Sequence, residues 1–227
     1  ELTCPKPNLD MITPLNGPTE GGTLLTIEGS NLGRRRAQVE NSVTVGGEPC
    51  TIVEYVTAQK IICRVPEGNT DAMISVVISG DIVQWPEDFV YRDPRPMELK
   101  PDKGPVSGGT RLTITGEKLK TGAKVTFIIG GEMSDISCDV DWEASTDSKM
   151  YCTTPSVKEK GDPTDISDVV YMDVDGTRKD FDNNQEFEFI PDPIITGIKP
   201  TVAFASGGRR LTVTGENLHS VQVPKIF

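Results

Sequence analysis

One block of sequence occurs three times in this 227-residue chain, and it restricts the possible folds more than any other feature. The copies read ITPLNGPTEGGTLLTIEGSNLG from Ile12, LKPDKGPVSGGTRLTITGEKLKTG from Leu99 and IKPTVAFASGGRRLTVTGENL from Ile198. Their glycine pairs, Gly21-Gly22, Gly108-Gly109 and Gly207-Gly208, lie 87 and 99 residues apart. That period is the size of a small sandwich domain and too long for a stacked solenoid repeat. Pro14, Pro101 and Pro200 precede the pairs at a constant distance, where a fixed φ and a missing N–H suit the end of a strand. Gly17-Pro18 and Gly104-Pro105 punctuate a turn, whereas the third copy carries Ala203-Phe204 there.

The pattern after each glycine pair alternates. Leu25 and Ile27, Leu112 and Ile114, and Leu211 and Val213 share one strand face, while Thr26, Glu28, Thr113, Thr115, Thr212 and Thr214 should face water. Gly29, Gly116 and Gly215 close these strands. A glycine-rich loop can cradle phosphate, but here it precedes a strand and lacks the Lys-Ser/Thr ending. The first two copies continue in step, with Val43–Val45 matching Val125–Ile129 and Ile74, Val76 and Ile78 matching Val170, Met172 and Val174. A Gly turn at Gly80 or Gly176 then leads to a last strand at Phe89–Tyr91 or Phe187–Ile190. Several short strands and no helical period predict an all-β fold of tandem immunoglobulin-like β-sandwiches. The third copy runs only to Phe227, so it either belongs to a divided domain or docks on the second unit.

Four cysteines fall at equivalent places. Cys50 and Cys63 are separated by 13 residues and Cys138 and Cys152 by 14, which reads as one intradomain disulfide per unit and an oxidising compartment. The rival is a zinc site, which wants closely spaced Cys pairs or several histidines, and His219 is the only histidine. Cys4 is left unpaired, its partner expected in a domain upstream.

The GPxxGGTxLTIxG block, the VxVGGxPC segment ending at Cys50 and the IxCxxP segment around Cys63 resemble the IPT/TIG repeats of plexins, the semaphorin receptors. Cys4 with Pro5-Lys6-Pro7 resembles the last cysteine of a PSI domain entering an IPT repeat, and the segment from Asp192 resembles the start of another repeat. The resemblance implies early-set, E-type sandwiches divided as residues 1–6 (PSI tail), 7–94 and 95–192 (two IPT domains) and 193–227 (the beginning of a third). It implies an extracellular stalk segment of a type I membrane protein, outside the plasma membrane, that spaces and orients a ligand-binding head. The implied partners are neighbouring receptor domains, another receptor copy, and a semaphorin bound elsewhere in the receptor. Alternatives are a module mediating receptor–receptor contacts, an IPT module of the hepatocyte growth factor receptor family, or one attached to a secreted enzyme. The chain has no Asn-x-Ser/Thr sequon.

Charge and composition exclude several other roles. A net charge of −11 opposes binding to nucleic acid or anionic lipid, and no apolar run reaches membrane-spanning length, so neither nucleic acid nor direct membrane contact is expected. One histidine removes most acid–base and triad schemes, so no catalytic residue and no cofactor are expected. Asp139 with Asp141 and Asp173 with Asp175 would share a strand face and could offer oxygens to calcium, but two carboxylates fall short of six to eight ligands, so no metal is expected. Arg34-Arg35-Arg36 is read as a solvated loop, Trp85 and Trp142 as core or hairpin packing, and Phe204 as packing where the second and third units meet. Pro94 and Pro96 in one linker, and Pro191 and Pro193 in the other, restrict the backbone and predict semi-rigid neighbours.

Overall fold

A computed structural model describes residues 5–130, 135–158 and 167–221. Cys4 lies outside the described residues.

The first unit runs through β1 (Asn8–Thr13), β2 (Asn16–Pro18), β3 (Leu24–Ser30), a one-turn helix α1 (Arg36–Val39), β4 (Val43–Val45), β5 (Glu48–Pro49), β6 (Thr51–Thr57), β7 (Lys60–Arg64), β8 (Ile74–Ile78), β9 (Asp81–Gln84) and β10 (Val90–Arg92). Two sheets, ordered β1-β3-β7-β6 and β5-β4-β8-β9, face each other, and β2 pairs in parallel with β10. Strand β9 is an addition to the expected set. It folds back from the Ser79-Gly80 turn, both at positive φ, and pairs Ile82 with Val77. Arg36 is not in a plain loop: it opens α1 and donates from Nη2 to the Ile52 carbonyl at 3.2 Å.

The second unit contains β11 (Arg95–Lys100), β12 (Lys103–Pro105), β13 (Arg111–Glu117), β14 (Val125–Gly130), β15 (Ile136–Val140), β16 (Lys149–Thr153), β17 (Ser167–Val174) and β18 (Thr177–Ile190). Here the strands form one continuous ladder, β11-β13-β16-β15-β14-β17-β18-β12. The continuity comes from β15, whose Cys138 pairs with Phe127 of β14 while Asp139 pairs with Thr153 of β16. In the first unit the same crossing is divided between β5, paired to β4, and β6, paired to β7, with Cys50 between them. Each crossing is tied down by a disulfide: Cys50 to Cys63 with Cα atoms 5.5 Å apart, and Cys138 to Cys152 at 5.6 Å.

The alternating residues behave as the period requires on the inner face. Leu25, Ile27, Leu112 and Ile114 are wholly buried, as are Ile74, Val76, Val170, Met172 and Val174. They belong to two separate cores, one per unit, filled around Phe89 and around Phe127, Phe187 and Phe189. The outer positions Thr26, Glu28, Thr113 and Thr115 are half-buried rather than open to water, because β1 and β7, or β11 and β16, flank them on both sides. The closing glycines have a steric reason. The first strand of each unit bulges over the third, so a Cβ at Gly29 would lie 2.0 Å from the Asn8 carbonyl oxygen, and one at Gly116 would lie 2.2 Å from that of Arg95.

The third copy contributes β19 (Ile194–Lys199) and β20 (Thr212–Glu216), an antiparallel pair. Leu211 is 40% exposed, and Phe204, expected between units, is 72% exposed. Pro18 and Pro105, at the position of Phe204, are buried because β2 and β12 lie against the last strand of their unit. Among the described residues no such strand lies beside the third copy.

Candidate interdomain junction

Only Asp93 and Pro94 separate β10 from β11, and Pro94 and Pro96 are both buried. With so short a connection, the end of the first unit meets three loops of the second directly. Those loops follow β13, follow β15, and join β17 to β18.

The last of these loops turns through Asp175 (φ 53) and Gly176. The positive φ removes Asp175 from the strand alternation, so it does not share a face with Asp173 as the spacing implied. Its carboxylate instead collects donors from two units. Oδ1 accepts the Lys124 amide at 2.8 Å, Oδ2 accepts the Ala123 amide at 3.0 Å, and Oδ2 also accepts the hydroxyl of Thr23 in the first unit at 2.7 Å. Thr23 is fully buried, and it immediately follows the glycine pair of the first copy. Beside this contact, Asn16 Oδ1 on β2 accepts the Gly122 amide at 2.9 Å.

Arg92, the last residue of β10, reaches the other two loops. Nη1 donates to the Lys120 carbonyl at 3.1 Å and Nη2 to Asp147 Oδ2 at 2.6 Å. Trp142 supports this arrangement rather than a core. It is partly exposed, Lys120 Nζ lies 4.8 Å from its ring centroid, and the same ammonium donates to the Trp142 carbonyl at 3.0 Å. Trp85 does pack against the core of the first unit.

A third group of contacts encloses the linker. Lys179 of β18 donates to Asp93 Oδ1 at 2.7 Å and to Glu20 Oε1 at 2.5 Å. Burial works against the Lys179 ammonium, but its hydrogen bonds to Asp93 and Glu20 outweigh that and raise its pKa above the ordinary lysine value. Glu20 is likewise pushed up by burial, yet the bond from Lys179 and local hydrogen bonds hold it below the ordinary carboxylate value.

The second linker repeats the device on a smaller scale. Asp192 accepts the Ser107 amide at 2.9 Å and pairs with Lys158 Nζ at 2.5 Å, and Lys158 first, then Ser107, draws its pKa down. Pro191 and Pro193 beside it are half-buried. Both linkers thus contain an Asp-Pro pair whose aspartate is held by a lysine of the second unit.

Elsewhere the candidate ligands and charges are otherwise engaged. Asp141 pairs with Arg111 at 3.0 Å, Asp139 is exposed on β15, and Asp173 accepts the Gly176 amide at 3.1 Å. Among the described residues no group of three metal-capable side chains converges. No helix among them is long and apolar enough to cross a membrane. The junction residues had no local signature to mark them. Thr23, Asn16 and Glu20 lie inside the repeat, and a hydrogen bond spanning 152 residues, as from Thr23 to Asp175, has no pattern along the chain.

The IPT/TIG domain model matches residues 7–91, 94–187 and 193–227. Plexin-B1 of Homo sapiens is 35% identical over 98% of this chain and 10% of its own length. Plexin-2 of Caenorhabditis elegans is 32% identical over 99% of this chain and 12% of its own length. The chain therefore spans about a tenth of these curated relatives. Among solved structures, the full extracellular region of Plexin A4, domains 1 to 10, superposes with a TM-score of 0.80 at 28% identity, covering 96% of this chain and 18% of that one.

Proposed function

The chain belongs to the IPT/TIG domain family, and from that membership and the junction geometry we propose that it is a non-catalytic spacer that holds neighbouring domains of a plexin-type receptor at a defined angle. The observation that carries this reading is the polar clasp around Asp93-Pro94. A two-residue connection with a buried proline, followed by buried Pro96 in β11 and bridged by Asp175, Arg92 and Lys179, leaves the first two units little freedom to reorient. Such a segment would set the distance and direction between a ligand-binding head and the membrane, with the semaphorin bound outside these residues. The relatives' place in an extracellular region and the two disulfides support an oxidising, extracellular setting. The domain limits 7–94 and 95–192 are part of this reading, and the two separate cores support them. Small-angle X-ray scattering on the chain tests it. A single maximum dimension and an angle fitted by one conformer are expected; a broad ensemble of angles between the first two units would overturn the orienting role.

A further inference from the structure

We infer that the contact between Thr23 and Asp175 is a latch that closes the first junction, and that releasing it opens the two units while both stay folded. The inference deepens the orienting role proposed above and rests on it.

Two observations carry it. First, the cores of the two units are separate, and their largest buried side chains, Phe89 in one and Phe127 in the other, fall in different clusters. The hydrogen bonds that cross the junction run between polar and charged groups, so opening it breaks hydrogen bonds without stripping either core. Second, Asp175 is the one carboxylate among the described residues that holds a loop of the second unit, through Ala123 and Lys124, and a hydroxyl of the first unit at once. Neighbouring Gly122 donates to Asn16 across the same gap. Thr23 is buried and Asp175 half-buried, so this charge-assisted bond is little screened, unlike the exposed pair Arg95–Asp182. Loss of the hydroxyl takes from Asp175 Oδ2 its donor in the first unit and leaves it the Ala123 amide of its own unit, at a site water can re-enter once the units part, and the open state becomes the relaxed one.

The test is hydrogen exchange on the full chain with both disulfides intact, read at the Gly122 amide. In Thr23→Val, whose side chain has nearly the same shape, that amide should exchange roughly tenfold faster, while the β13 amides of Leu112 and Ile114 keep their protection. Should valine disturb the first unit, visible as lost protection at Leu25 and Ile27, Thr23→Ala decides instead, because it removes the same hydroxyl and leaves the bonds from Ala123 and Lys124 to Asp175 in place. Unchanged Gly122 exchange in the variant that remains folded overturns the latch. A narrow scattering ensemble for the unaltered chain together with unchanged exchange would overturn the latch alone. A broad ensemble for the unaltered chain would overturn both readings.

Discussion

Asp93 and Lys179 stand 86 residues apart in the chain and 2.7 Å apart in the fold. The Lys179 side chain is only 12% exposed, whereas those of Asp93 and Glu20 are about half exposed. Lys179→Met should therefore cost about 1 kcal/mol, and 1 M salt should remove most of the difference between variant and parent. Thermal melting at low and high ionic strength checks both parts. Equal melting curves at low salt would show that the cluster contributes nothing.

The same cluster sets a pH window. Glu20 has a folded pKa below its ordinary 4.5, so its contribution is present above that value and fades as pH falls through the folded one. Lys179 has a folded pKa above its ordinary 10.5, so its contribution is present below that value and fades as pH rises through the folded one. The melting difference between the parent chain and Glu20→Gln should be level between about pH 6 and pH 9 and shrink in strong acid. A difference that grows on acidification would contradict the assignment.

Replacing Cys50 and Cys63 together by alanine should destabilise the first unit by about 3 kcal/mol, the chain-entropy value for a loop of this size. Because the cores are separate, the second unit's unfolding transition should keep its denaturant midpoint. Equilibrium unfolding under non-oxidising and non-reducing conditions, followed by tryptophan fluorescence from Trp85 and Trp142, distinguishes the two units.

Gly21 and Gly207 occupy matching places in their copies, at φ 76 and φ 73. A Cβ at Gly21 would lie 2.6 Å from the Pro66 carbonyl carbon, whereas one at Gly207 meets nothing within 4 Å. Gly207→Ala should cost about 1 kcal/mol from the left-handed backbone alone, and Gly21→Ala clearly more. Equal losses would show that the backbone contact at Gly21 relaxes freely.

Much of the architecture was readable along the chain because it rests on local rules. The glycine pairs, the inward Leu25 and Ile27 and the matching cysteine spacings each follow from backbone geometry or period two. The failures share a cause. Asp175 left its expected face because a turn intervened, Trp142 met a lysine at the junction, and Phe204 lacks the neighbouring strand that covers Pro18 and Pro105. Each depends on a partner far away in sequence. The clasp was invisible for the same reason: the prolines announced a stiff linker, but nothing near Asp93 indicated that Lys179 would hold it.

The parallel pairing of β2 with β10, and of β12 with β18, places the second and the last strand of each sandwich side by side and pointing the same way. A pull on the two ends of such a unit would drag these strands past each other lengthwise. Their hydrogen bonds would share the strain and have to give way together, as when a lap joint is drawn rather than peeled. A tether built from these units would yield last along those parallel seams.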